Sequence, residues 1–162
     1  MEVLKAIDVL NFAVFLEDDS HLFYTEMAER FKDDEHVTDL FRFMAEEEFK
    51  HKDVFVDLKR IIAPRALDEQ YPGEYRKYME IYMNSHTIGS DEAMKKKIER
   101  VVSIGDATDM ALEFEKDSIV YYTSLKPLVA QSDHRLVEDV IKEEYSHITR
   151  IYEYRRSRMK VL

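Results

Sequence analysis

The chain has 162 residues, 45% of them apolar, which is enough for one domain with a hydrophobic core. It has no cysteine, so disulfides, thiolate zinc sites, iron–sulfur clusters and thiol chemistry are excluded, and any metal must be held by carboxylates and imidazoles. The net charge of -10 opposes a polyanion, no apolar run approaches the roughly 18 residues that span a bilayer, and Met1 to Lys5 lack the features of a secretory signal. The expectation is a cytoplasmic protein with neither nucleic acid nor membrane as partner.

The first predicted element is a helix. Positions 7, 10, 14, 17, 21, 24, 28 and 31 read Ile, Leu, Val, Glu, His, Tyr, Ala and Phe, one face at a spacing of three and four, interrupted by Glu17. Lys32-Asp33-Asp34 is the expected turn. The second helix repeats the pattern at 37, 41, 44, 48, 51, 55, 58 and 62, where Glu48 and His51 interrupt an otherwise apolar stripe. Together they make a hairpin over about 3–63. Glu17 and Glu48 are equidistant from the turn and should lie level.

A crossover over about 64–105 contains all three glycines and two of the three prolines. Tyr75, Tyr78, Met79, Tyr82 and Met83 form one helical stripe, and Met94, Ile98, Val101 and Val102 another, the latter helix with an N-cap signal at Ser90. These aromatic and methionine stripes read as bundle wall or as a contact in a homodimer.

A second hairpin over about 106–160 carries Glu115 on its first helix, which Pro127 should kink or end near Lys126. Its last helix has Ser132 or Asp133 as N-cap and the stripe Val137, Val140, Glu144, His147, Ile151, Tyr154. Lys95 to Lys97 and Arg155 to Lys160 read as a solvated face and a helix C-terminus.

The two hairpins are copies in their polar residues. Glu17-x-x-Ser20-x-x-x-Tyr24 then Glu48-x-x-His51 recurs as Glu115-x-x-Ser118-x-x-x-Tyr122 then Glu144-x-x-His147, with offsets of 98 and 96 residues for the leading glutamates. Residues three apart share a helix face, so each Glu-x-x-His aims a carboxylate and an imidazole at one point, and Glu17 and Glu115 add one carboxylate each. Four buried carboxylates balance two divalent ions and would otherwise raise one another's pKa. The donor set suits iron or manganese, with zinc possible. Glu47 and Glu143 are alternatives one position away. Tyr24 and Tyr122, two turns beyond Glu17 and Glu115, are placed to hydrogen-bond the ligand carboxylates, or to donate an electron. His21 reads as a satisfied core histidine, and His36, His86 and His134 as surface residues.

In these residues the chain resembles the ferritin-like di-iron carboxylate proteins, and within them the rubrerythrin-like branch. The resemblance implies an all-α, ferritin-like four-helix bundle spanning 1–162 as a single domain. It also implies two iron ions, with Glu48 and Glu144 bridging, Glu17 and Glu115 terminal, and His51 and His147 capping one metal each. The implied activity is an oxidoreductase reducing peroxide or dioxygen, in the setting of oxidative stress; iron handling as a ferroxidase and a purely structural metal are the alternatives. Rubrerythrins look like fusions with a Cys-rich rubredoxin module, so this Cys-free chain would need an external electron donor. They also carry an extra carboxylate one turn after the third-helix ligand, where Ser118 stands here.

Overall fold

The computed structural model describes residues 6–62, 77–78, 81–82 and 90–159, and among these the elements with defined bounds are four long helices and one short one. We label them α1 (Ala6–Arg30), α2 (Glu35–Ile62), α3 (Ser90–Glu99), α4 (Ile104–Leu125) and α5 (His134–Met159). The expected all-α bundle is what forms. The most extensive packing is of α1 on α2 and of α4 on α5, the two hairpins, and α3 lies against α1.

The ends of the helices follow from local chemistry. The chain turns through residues 31–34, and Asp34 accepts a bond from the amide of Val37 at 3.2 Å, capping α2. Ser103 and Asp106 close a capping box at the start of α4, each side chain accepting from the other's backbone amide. Pro127 ends α4 as expected, in a 3-10 turn over Lys126–Leu128. Gln131–Asp133 forms a second 3-10 turn leading into α5, so the N-cap expected at Ser132 or Asp133 falls within that turn.

Two expectations for the surface need correction. Val102, placed on an apolar stripe with Val101, is 84% exposed, because α3 ends at Glu99 and the chain unwinds before the cap at Ser103. His134 is half-buried, with its Nε2 3.2 Å from the Val129 carbonyl. The basic C-terminal segment also does more than complement a helix dipole. Arg155 bonds the Thr108 hydroxyl at 2.9 Å and pairs with Asp109, and Arg158 pairs with Asp34, tying α5 to the start of α4 and to the first turn. Lys95 to Lys97 are exposed as expected. Tyr82 of the crossover stacks on Tyr121 at 5.6 Å and so belongs to the bundle wall. Tyr75, Met79, Met83 and His86 lie outside the described residues, as does the side chain of Ser90.

The apolar core is divided. One cluster gathers Val9, Phe12, Phe55, Leu58, Tyr121, Tyr122, Leu125, Val137 and Val140 at one end of the bundle. The other gathers Phe23, Tyr24, Met27, Phe41, Met44, Ala111 and Ile151 at the opposite end, where Met94, Ile98 and Val101 of the α3 segment close it. Burial of each large side chain contributes about 1.5–3 kcal/mol, so both ends are well secured. Between them lies a polar layer with Glu17, Glu48, His51, Glu115, Glu144 and His147, each 2% exposed or less.

Candidate metal centre

The six residues of the repeated motif meet in that middle layer. Each occupies a position where the helix periodicity calls for an apolar side chain, and together they form one cluster across four helices. Glu17, Glu48, His51 and Glu144 each present an atom with mutual separations within 4.8 Å, and so do Glu48, Glu115, Glu144 and His147. Glu48 and Glu144 belong to both sets. Ligands at about 2.1 Å from one ion stand about 3–4 Å apart, so small side-chain adjustments suffice for either set to hold one.

Both imidazoles turn Nδ1 inward. Nδ1 of His51 lies 3.2 Å from Glu144, 3.6 Å from Glu48 and 3.7 Å from Glu17. Nδ1 of His147 lies 3.2 Å from Glu115, 3.2 Å from Glu144 and 3.3 Å from Glu48. The rings stack with centroids 5.5 Å apart. On its outer edge, Nε2 of His51 lies 2.7 Å from Glu143, whose side chain is 52% exposed. Glu143 therefore lies at the exposed edge of the cluster and meets it at His51. Glu47, the other register alternative, is half-buried and paired with Lys50.

The tyrosines bond the carboxylates across the bundle, Tyr24 to Glu115 and Tyr122 to Glu17. Burial, followed by the adjacent carboxylate, pushes both phenols well above their ordinary pKa and keeps them neutral donors. His21 stands apart, its Nδ1 2.8 Å from the Ala45 carbonyl.

Protonation in the metal-free cluster follows from the same contacts. Burial, with the charge of Glu48 adding to it, holds Glu17 well above the carboxylate range; burial and then Glu144 do the same to Glu115. Burial also opposes ionisation of Glu48 and Glu144, but the facing imidazoles outweigh it and hold both below the usual range. Burial opposes charge on His51, yet Glu144 and Glu48 raise it to about 11, and His147 is raised by Glu115, Glu144 and Glu48. Burial thus biases Glu17 and Glu115 toward the protonated form, while the facing carboxylates bias both imidazoles toward the charged one.

The layer also holds unsatisfied polar atoms. Glu17 Oε2, Glu48 Oε1, His51 Nδ1 and both oxygens of Glu144 are buried without a hydrogen-bond partner. They meet the facing groups in the ion-pair contacts given above and not in hydrogen-bond geometry, and all belong to residues of the two sets of four. They fit a metal that accepts hard oxygen and imidazole donors.

The rubrerythrin family model matches residues 8–155. The chain belongs to the rubrerythrin family. This family member is also similar in fold to a crystal structure of a Thermotoga maritima protein described as a ferritin-like diiron-carboxylate protein, at 23% identity and a TM-score of 0.65, over 96% of this chain and 97% of that one. No curated protein sequence matches it significantly. Membership and the buried cluster of carboxylates and histidines together support iron binding. Among the described residues of this rubrerythrin-family chain, no helix is long and apolar enough to cross a membrane. The position one turn after Glu115 is filled by buried Ser118.

Proposed function

We propose that the protein is a non-haem di-iron oxidoreductase that reduces peroxide or dioxygen, with Glu17, Glu48, His51, Glu115, Glu144 and His147 holding two iron ions. The observation that carries this reading is that two sets of four donors share Glu48 and Glu144. A carboxylate has two oxygens, and one shared by both sets is placed to join two ions. Four carboxylates against two divalent cations also balance in charge.

A pair of ferrous ions supplies two electrons at one place, which suits reduction of an O–O bond. The protein's own part is to hold, orient and seal. Tyr122 and Tyr24 fix the outer carboxylates Glu17 and Glu115, each from the neighbouring hairpin, so ligands on different helices are braced against one another. The apolar clusters on either side keep bulk water from the layer. Electrons must then return from an external donor, since the chain has no thiol redox group of its own.

The test is anaerobic loading with ferrous iron followed by rapid mixing with peroxide or with air. Oxidation markedly faster with peroxide supports a peroxidase, and faster with air an oxidase, in both cases with iron retained through repeated cycles. Iron released after one turnover would replace this reading by iron handling. An absence of oxidation with either would leave a metal that only stabilises the bundle.

A further inference from the structure

A row of tyrosine rings leads from the protein surface to the proposed centre. Tyr78 in the crossover is 41% exposed, and its ring centroid lies 5.8 Å from that of Tyr82. Tyr82, half-buried, stacks on Tyr121 of α4 at 5.6 Å, and Tyr121 meets Tyr122 edge-on at 6.0 Å. Tyr121 and Tyr122 are fully buried, and the Tyr122 hydroxyl ends the row on Glu17. Each ring is therefore in contact with the next, from solvent to a proposed ligand.

The row has no counterpart around Tyr24 among the described residues. The first hairpin repeats Tyr122 as Tyr24, but 98 residues before Tyr121 stands Phe23. Tyr24 accordingly meets phenylalanines, Phe23 at 5.3 Å and Phe41 at 5.9 Å. A benzene ring is far harder to oxidise than a phenol, so the Tyr24 side insulates where the Tyr122 side conducts. Packing alone needs no hydroxyl at this place, as Phe23 shows. Tyr121 nevertheless carries one, bonded to the Val9 carbonyl at 2.7 Å, and that of Tyr82 reaches the Asp117 carbonyl at 3.4 Å.

We propose that Tyr122, Tyr121, Tyr82 and Tyr78 form a relay that discharges oxidising equivalents from the metal centre to the surface at Tyr78. This rests on the di-iron reading above. Electron tunnelling weakens exponentially with distance, so short steps between neighbouring rings outpace one long step through aliphatic packing. A phenol yields an electron only to a strong oxidant. The relay therefore serves the interval after peroxide or dioxygen has reacted and before an external donor has arrived, and ordinary reduction of the resting centre does not use it. The net step balances at the surface. Tyr78 gives up one electron, passed along the row to the oxidised centre, and releases its phenolic proton to water, leaving a neutral phenoxyl radical. A one-electron reductant in solution, of the ascorbate or thiol class, returns the electron, and water returns the proton. Tyr82, Tyr121 and Tyr122 end as they began, and oxidative damage is moved from buried ligands to a side chain that solutes can reach.

The experiment loads the full chain anaerobically with ferrous iron and adds peroxide or, in parallel, air, without reductant and with a nitroso spin trap present. Trapped tyrosyl adducts are mapped by peptide mass spectrometry while iron content and iron oxidation are followed alongside. Tyr78 should carry the adduct in the parent protein. Tyr121→Phe, which copies the Phe23 side, should lose most of that label with iron content and helicity retained; Tyr82→Phe should do the same and serves if Tyr121→Phe fails to fold. Tyr145, 57% exposed on α5 and away from the row, is the reference. Label on Tyr78 no greater than on Tyr145, or undiminished in the variants, overturns the relay and leaves the metal centre standing. A chain that takes up no iron, or whose iron neither oxidant oxidises, overturns the di-iron reading and the relay with it.

Discussion

The phenol of Tyr122 on α4 is bonded to Glu17 on α1, across the bundle rather than to Glu115 of its own helix, and Tyr24 returns the same bond from α1 to Glu115. Each tyrosine sits two turns from the glutamate of its own helix, which carries its ring into the opposite apolar cluster. The hydroxyl then reaches back to the polar layer from one end while its counterpart does so from the other. Two hairpins are thereby locked at the level of the site. Tyr122→Phe leaves the Glu17 oxygen without its donor, at a cost of about 1–3 kcal/mol in the metal-free protein and about a tenfold loss of metal affinity. Thermal melts and a metal titration of the variant check both numbers, and Tyr24→Phe should behave alike.

Shared and unshared carboxylates should differ on removal. Glu144→Ala removes a donor from both sets of four, whereas Glu115→Ala removes one from a single set. We expect Glu144→Ala to lower metal content at both positions and Glu115→Ala to leave one position filled. Elemental analysis after equilibration and desalting distinguishes them; equal losses from the two variants would contradict the sharing.

The metal-free protein should weaken as pH rises. The unfolded chain releases the His51 proton near pH 6.5 while the folded protein keeps it to about 11, so its stabilising contribution is full below pH 6.5 and is lost progressively above it. Each unit of pH in that window removes about 1.4 kcal/mol for this group. His147 shifts in the same direction. Glu17 and Glu115, held protonated in the fold, add to the loss from about pH 4.5 upward, whereas Glu48 and Glu144 contribute stability that disappears only as pH falls into acid. Metal must displace the protons on His51, His147, Glu17 and Glu115, so its affinity rises with pH. Melting temperatures of chelated and loaded protein should diverge between about pH 6 and 8.5; a constant gap would contradict the protonation pattern.

Fold and site were legible in the sequence to different depths. The hairpins, the turn before Asp34, the break at Pro127 and the six polar interruptions of apolar stripes all depend on helix periodicity, which is a local property. Which carboxylate each tyrosine meets depends on how the hairpins cross, and no spacing within one helix encodes that. Glu143 illustrates the same limit: one residue before Glu144, it was legible only as a register alternative, while its bond to His51 arises from packing of α5 on α2. Val102 was misread because Val101 and Val102 suit one stripe equally until the cap at Ser103 decides where the helix starts.

That distinction can be measured at the apolar positions. Phe55 is fully buried with its ring 4.6 Å from that of Tyr122, so Phe55→Ala should cost about 3–5 kcal/mol. Val102→Ser, on a side chain 84% exposed, should stay within about 0.5 kcal/mol. Denaturant melts of both variants settle the comparison, and a large loss at Val102 would overturn its placement.

The central claim is that one chain holds two ions close enough to share carboxylates. Mössbauer spectroscopy of the protein loaded anaerobically with isotopically enriched ferrous iron and then oxidised tests it most directly. The account expects two irons per chain, present as one spin-coupled pair. A single iron per chain with the signature of an isolated high-spin ferric ion would contradict it.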